Sequence, residues 1–285
     1  MKNMKFNRCN MSVLLVAFFC FTLTAVAQNE IKETLTIPLS DPDKSGFLKV
    51  GILRGDIRVT GYTGKQVIVD IVSSNDPDEK EDGSAKKDVN VTAGMKKLSS
   101  GGGLQLTGEE EKNTVTIKVG ASMRNINLHI KVPRQFSLKL STVNNGEIVV
   151  DNVMGELEIS NLNGPILLNN VSGSAVANTV NGDMKGNFKS INANAPMAFS
   201  TLNGNIDFTF PTAAKFDVKL KSDRGDIYSD FDINIEKGKS QVSGTTKEGM
   251  YKVAVEDWIK GKINGGGSEI MMKSMSGNIY LRKTK

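Results

Sequence analysis

Beyond its first 27 residues this 285-residue chain contains no cysteine, because Cys9 and Cys20 both lie in that leading segment. The remaining 258 residues therefore hold no disulfide, thiolate metal site or cysteine nucleophile. They hold one histidine, His129, and one tryptophan, Trp258, so a multi-histidine metal site is excluded as well. Apolar residues at helical spacing are hard to find after residue 28, and no second apolar run is long enough to cross a bilayer. An excess of one charge is also missing. Without Lys2, Lys5 and Arg8 the chain carries 33 basic against 31 acidic residues, a net charge of +2 rather than +5. The apparent basicity belongs largely to the leader, and nucleic-acid binding loses its compositional support.

The leader has the layout of an export signal. Lys2, Lys5 and Arg8 are followed by an apolar stretch from Val13 to Val26, then by Ala25-Val26-Ala27, a small-x-small cleavage pattern with Gln28 as the mature start. Lipid attachment at Cys20 is the weaker alternative, because Phe18 and Phe19 occupy positions that such a site reserves for small residues. The expected domains are a signal at 1–27 and one β-solenoid at 28–285. Within it, an irregular part spans about 28–140, regular coils 141–230, and C-terminal coils with a cap 231–285.

Strand signals are frequent. Short alternating or β-rich runs at 47–52, 67–72, 114–119, 126–132 and 137–140 are bounded by Gly, Pro, Asn or Asp. Exposed loops are expected at 73–88 and 99–103. The dominant feature is a nine-residue repeat. Gly146, Gly155, Gly164, Gly173 and Gly182 are evenly spaced, with Ile148, Leu157, Ile166, Ala175 and Met184 two positions later. Val150, Ile159, Leu168, Ala177 and Gly186 come four positions after each glycine. Val153, Leu162, Val171 and Val180 come seven positions after the first four. Positions two and four share one face of a strand, and position seven lies beyond a turn. Position one (Glu147, Glu156, Pro165, Ser174, Asp183) is expected to face solvent. With insertions, the pattern continues at Ala195, Gly204, Phe216 and Gly225. Asn-Gly recurs in every second unit, at 145, 163 and 181, and again at 203, so two units form one coil of about 18 residues. Asparagine at each corner tolerates the left-handed conformation. The expected fold is an all-β, single-chain β-solenoid with about 18–22 residues per coil, flattened and two-sided, three sides being the alternative.

Other motifs lead to less. Arg54-Gly55-Asp56 and Arg224-Gly225-Asp226 offer an adhesive tripeptide, but Gly225 already falls in the corner column. Asp41-Pro42-Asp43-Lys44-Ser45-Gly46 begins like an EF-hand loop, yet its twelfth position is Ile52, so a turn is expected. A calcium-binding β-roll requires Asp two residues after the glycine, where this chain has Ile148, Leu157 and Ile166. His129 is expected on a strand surface. Glu156/Glu158 and Glu147/Asp151 could serve a polysaccharide-cleaving site, but they occupy positions that a soluble solenoid makes polar anyway. Trp258 is expected to close the apolar stack. No catalytic, cofactor-binding or metal-ligating residue is assigned.

The order of these segments resembles the bacterial family known as "putative adhesin", exported β-solenoid domains. The resemblance rests on Leu48-Lys49-Val50, Gly55-Asp56-Ile57-Arg58-Val59-Thr60-Gly61-Tyr62 and Ile130-Lys131-Val132-Pro133. It continues through the Asn-Gly coils of 144–208, Arg224-Gly225-Asp226-Ile227-Tyr228, Trp258, Lys262-Ile263-Asn264-Gly265-Gly266-Gly267 and Ser276-Gly277-Asn278-Ile279-Tyr280. It implies a right-handed solenoid and an exported location, and it supplies no catalytic residue. The expected function is a non-enzymatic binding or scaffold surface at the cell envelope, periplasmic, cell-surface or secreted, without cofactor. Its partner would be an envelope glycan or a surface protein. The alternatives are a polysaccharide lyase or hydrolase and an envelope-stress signalling component.

Overall fold

The computed structural model describes residues 31–74, 105–120, 125–235, 241–247, 250–256 and 258–285. The expected signal segment, with both cysteines, and most of the two expected loops lie outside them. Strands carry the described chain. They are β1 (Ile31–Pro38), β2 (Phe47–Arg54), β3 (Ile57–Tyr62), β4 (Gln66–Ser74), β5 (Leu106–Glu111), β6 (Thr114–Val119) and β7 (Asn125–Pro133). Then come β8 (Ser137–Asn144), β9 (Ile148–Asp151), β10 (Glu156–Asn163), β11 (Ile166–Asn181), β12 (Met184–Ile191), β13 (Met197–Asn203) and β14 (Ile206–Phe210). The last are β15 (Phe216–Ser222), β16 (Ile227–Ser229), β17 (Asn234–Ile235), β18 (Gln241–Lys247), β19 (Met250–Glu256), β20 (Ile259–Ile263), β21 (Glu269–Ser276) and β22 (Ile279–Lys283).

The fold is a two-sided β-solenoid. Each coil gives one strand to a front sheet and one to a back sheet, and parallel pairing stacks coil on coil. From Gly146 the coils are β8/β9, β10 with the first half of β11, the second half of β11 with β12, and β13/β14. Regular coils also occur outside 141–230. β2/β3 and β6/β7 pair in parallel the same way.

The spatial order of coils departs from chain order at both ends. β2/β3 lies between β6/β7 on one side and β8/β9 on the other. At the far end β21/β22, the last strands of the chain, lie between β13/β14 and β15/β16. The chain skips one position after β14, builds β15/β16, and later returns to fill the gap. Antiparallel strands cover the exposed edges: β4 and β1 beyond β7, β5 beyond β6, and β20 and β17 beyond β15.

Glycine at the corners answers a lack of space. A Cβ on Gly164 would stand 1.9 Å from the carbonyl oxygen of Gly146, one on Gly182 2.1 Å from that of Gly164, and one on Gly204 2.1 Å from that of Gly182. The column continues in spatial order, with Gly277 against Gly204 and Gly225 against Gly277. Gly55 precedes Gly146. Both RGD glycines therefore belong to this column. Left-handed φ is not the shared reason: among the column's asparagines only Asn145 has positive φ. Asn163, Asn181 and Asn203 instead form an amide ladder, in which Asn181 donates its Nδ2 to Asn163 Oδ1 and Asn203 donates its Nδ2 to Asn181 Oδ1, both at 2.8 Å. Amide stacking satisfies these asparagines without a left-handed backbone.

A second ladder lies just inside. Thr142, Thr179, Thr201, Ser274 and Ser222 donate hydroxyls to the carbonyls of Gly55, Gly164, Gly182, Gly204 and Gly277, and Asn161 donates its amide to Gly146. This explains polar residues at inward positions, and it divides the repeat's seventh position in two. Val153 and Val171 are fully buried, whereas Leu162 is 43% exposed. In the half-coil before an Asn-Gly corner the strand continues straight. Position six then points inward to the ladder and position seven points out. Position one is also uneven, since Ser174 is buried. Replacing Thr179 with Val keeps the shape but leaves the Gly164 carbonyl without its side-chain donor. The expected loss is about 1–3 kcal/mol in denaturant unfolding, against near-neutrality for the exposed Asn178→Val.

The core between the sheets is aliphatic toward the N-terminal end, apart from Phe136, and aromatic toward the other, where Phe188, Phe199, Phe208, Phe210, Phe216 and Phe231 follow one another at 4.2–6.4 Å between ring centroids. Phe231, 5% exposed, closes the stack. The expected cap, Trp258, lies elsewhere. Pairing of Ile259 with Leu220 turns Ile259 toward the core side, so Trp258 faces out from the back sheet beneath Lys219.

Candidate functional site

The residues singled out in the sequence do not converge. Asp56 accepts the Glu147 backbone N–H at 2.8 Å, and Asp183, Asn205 and Asn278 accept the N–H of the next coil in the same way. Asp56 is thus a backbone cap, and Asp226 ends the same column, its own N–H capped by Asn278. The segment 41–46 is a turn, with the Lys44 N–H bonded to the Asp41 carbonyl. Its acids are engaged, Asp41 by Lys44 and Asp43 by Lys65, and the Asn113 side chain accepts from the Asp41 N–H. Nearby, hydrogen bonds from the Asn113 backbone and then from Ser40 hold the Glu110 carboxyl below the ordinary carboxylate range. Glu158 pairs with Lys139 on the back sheet and Glu147 with Arg58 on the front. Asp151 accepts from Asn169, and His129 is exposed on β7 opposite Asp70 and Arg58. Among the described residues no three of His, Cys, Asp and Glu are grouped to hold a metal ion.

What the sequence did not single out is a shallow groove on the outer face of the front sheet. Its floor is a cross-strand array. Leu167, Lys185 and Asp207 are successive partners in one row, Thr209 joins Asn187 and Arg282 in the next, and the first row continues past the groove to Tyr280 and Tyr228. Arg282 grips Asp207 through Nε and an Nη atom at 2.6 and 3.1 Å, and the hydrogen bond to Asp207 raises the guanidinium above its ordinary pKa. The guanidinium lies over the Tyr280 ring at 5.1 Å, and Tyr280 stacks on Tyr228 at 5.3 Å with 9° between planes. The Tyr228 hydroxyl donates to Asp226, which raises its pKa and keeps it a donor. Tyr228 is half exposed at the end of the row. Lys185 has no ion pair among the described residues.

The array comes from the interleaved coil order. Arg282 and Asp207 are 75 positions apart and touch because β22 lies directly beside β14. It offers amides, hydroxyls, one unpaired cation and aromatic edges along a flat track. Asp207, the acid that lines the groove, is held by a bidentate arginine, while Asp151 accepts from Asn169 at one end of the array and Asp226 accepts from Tyr228 at the other.

Residues 137–282 match the family model Toastrack DUF4097. None of the curated proteins matches the chain. Among solved structures, the chain is similar to a putative cell adhesion protein from Clostridium sporogenes, at 11% identity and a TM-score of 0.45 over 90% of this chain and 100% of that one. It is also similar to a putative adhesin from Bacteroides fragilis, at 11% identity and a TM-score of 0.30 over 90% and 98%. A putative lipid binding protein from Parabacteroides distasonis is more distant, at 12% identity and a TM-score of 0.24 over 90% and 98%. With its glycine-stacked coils and a model match over more than half its length, the chain belongs to the Toastrack DUF4097 family.

Proposed function

We propose that this protein is an exported, non-enzymatic β-solenoid that binds an extended glycan at the cell envelope through the front-sheet groove. One observation carries the reading: amides, a threonine hydroxyl, an unpaired lysine and a tyrosine pair lie in register on a flat face, with one acid already held by arginine. Such a track suits the hydroxyls and apolar ring faces of a sugar chain, and Lys185 suits an acidic sugar. The export signal motivates the location.

The test is a panel of neutral and acidic envelope polysaccharides, measured by calorimetry. Micromolar binding is expected, weakened about tenfold or more by Lys185→Ala combined with Tyr228→Ala, both exposed enough to leave the fold intact. Release of reducing ends or unsaturated products would replace this reading with an enzymatic one. Failure of every glycan at micromolar levels would remove it.

A further inference from the structure

On the outer face of the back sheet, where β21, β15 and β20 lie side by side, lysines stand directly opposite one another. Lys221 is the cross-strand partner of Lys273, and Lys219 is the partner of Lys260. Like charges in this relation destabilise a sheet, so the arrangement works against the fold that carries it. Lys262 adds a fifth cation, opposite Asp217, whose carboxylate accepts the Gly267 N–H. Lys221 lies 3.3 Å from Asp223, but Lys219, Lys260, Lys262 and Lys273 have no ion pair among the described residues. Trp258 is set among them, with the ammonium groups of Lys219 and Lys221 at 4.7 and 5.8 Å from its ring centroid.

The same face carries an apolar stripe that runs into this patch. The outward seventh positions align coil by coil as Leu53, Val143, Leu162, Val180, Leu202 and Met275. Leu53 is 58% exposed, and Leu162, Leu202 and Met275 are each about 40% exposed. Met271 extends apolar surface to the lysines, being the direct partner of Lys219. Apart from Val176, which is 46% exposed, and its neighbour Ala198, the other outward positions between Leu53 and Met275 are mostly lysine, glutamate, serine and asparagine, so the continuous apolar column is confined to this one row.

We propose that this face docks on an anionic lipid surface, its lysines on the headgroups and its stripe with Trp258 at the level of the glycerol and first acyl carbons. Charge complementarity selects the anion, because Lys219, Lys260, Lys262 and Lys273 have no ion pair among the described residues and a negative surface would relieve the repulsion within the pairs. The stripe selects a lipid over a soluble polyanion, because a polyanion engages the lysines and leaves Leu162, Leu202 and Met275 in water. A bilayer interface accommodates both components on one plane. The inference is independent of the glycan groove, which lies on the opposite sheet.

The experiment is co-sedimentation of the mature chain with vesicles of phosphatidylcholine alone or mixed with phosphatidylglycerol. Binding to the mixed vesicles is expected, weakening with salt, with little binding to phosphatidylcholine. Lys260→Glu with Lys273→Glu places each new glutamate opposite a lysine, so the melting temperature should hold or rise while vesicle affinity falls about tenfold or more. Leu162→Ser with Leu202→Ser should also reduce vesicle binding. Equal binding to both vesicle types, or affinity unchanged by the lysine reversal, overturns the proposal. So does a serine variant that binds as well as the parent while polygalacturonate competes fully, for the lysines would then serve a soluble polyanion.

Discussion

Deletion of residues 269–285 is expected to abolish the folded state of the whole chain. In an ordinary solenoid the last coil contacts only its inner neighbour and can be removed without unfolding the rest. Here the last strands in sequence are internal in space. β21 and β22 are paired on both sides, and Ile270, Met272, Ile279 and Leu281 are each at most 1% exposed. Burial of each contributes about 1.5–3 kcal/mol, on the order of 6–12 kcal/mol together. That approaches the entire stability of a typical domain, about 5–15 kcal/mol. The deletion also leaves β13 and β15 facing a gap of one coil and removes the Gly277 and Ser274 members of the corner ladders. A chain of residues 28–268 should lack a cooperative melt by circular dichroism. A melt close to that of residues 28–285 would show that β15/β16 packs on β13/β14 without the inserted coil.

Gly164→Val is the second large effect. The new Cβ meets the Gly146 carbonyl oxygen at 1.9 Å, and φ at this residue is +154°. The obstacle is backbone, itself fixed by the coil before it, so no side-chain rotation relieves it. The expected cost is more than about 3 kcal/mol, above the usual range for a point substitution. Ser174→Val, at a buried position without positive φ and with no backbone pressed against a missing side chain, should cost clearly less, about 1–2 kcal/mol. Gly182→Val and Gly204→Val should resemble Gly164→Val, since each meets the glycine carbonyl before it at 2.1 Å. Paired denaturant titrations check the ordering, and equal midpoints for Gly164→Val and Ser174→Val would contradict the column.

The repeat was legible because its cause is local. A glycine every nine residues, with apolar residues at two and four beyond it, follows from strand parity and a tight corner, and both are properties of neighbours in sequence. The same logic gave the Asn-Gly edge and placed Gly225 in it. It failed at Leu162 and Val180, where one template was applied to two kinds of half-coil. The Thr and Asn residues that turn position six inward were the missed clue. It failed for Trp258 as well, because the parity of β20 depends on which residue of β15 it meets.

The groove and the lysine patch could not be read from the sequence, because both depend on which coil lies beside which. Ser276-Gly277-Asn278-Ile279-Tyr280 and Gly225-Asp226-Ile227-Tyr228 are visibly alike. Nothing local shows that the later one lies inside the earlier. Once it does, Tyr280 meets Tyr228, Arg282 meets Asp207 and Lys273 meets Lys221. Both proposed binding surfaces therefore stand on the interleaved order.

That order is tested most directly by cysteine cross-linking, for which a chain of residues 28–285 is suited because that stretch has no thiol of its own. Leu202 and Met275 lie side by side on the back sheet, both exposed, and Asp223 lies one coil beyond Met275. With a short bis-maleimide under native conditions, Leu202→Cys/Met275→Cys should cross-link rapidly within the monomer, and Leu202→Cys/Asp223→Cys should not. Rapid linkage of 202 to 223 with none of 202 to 275 would mean that the coils stack in chain order, and it would contradict the account.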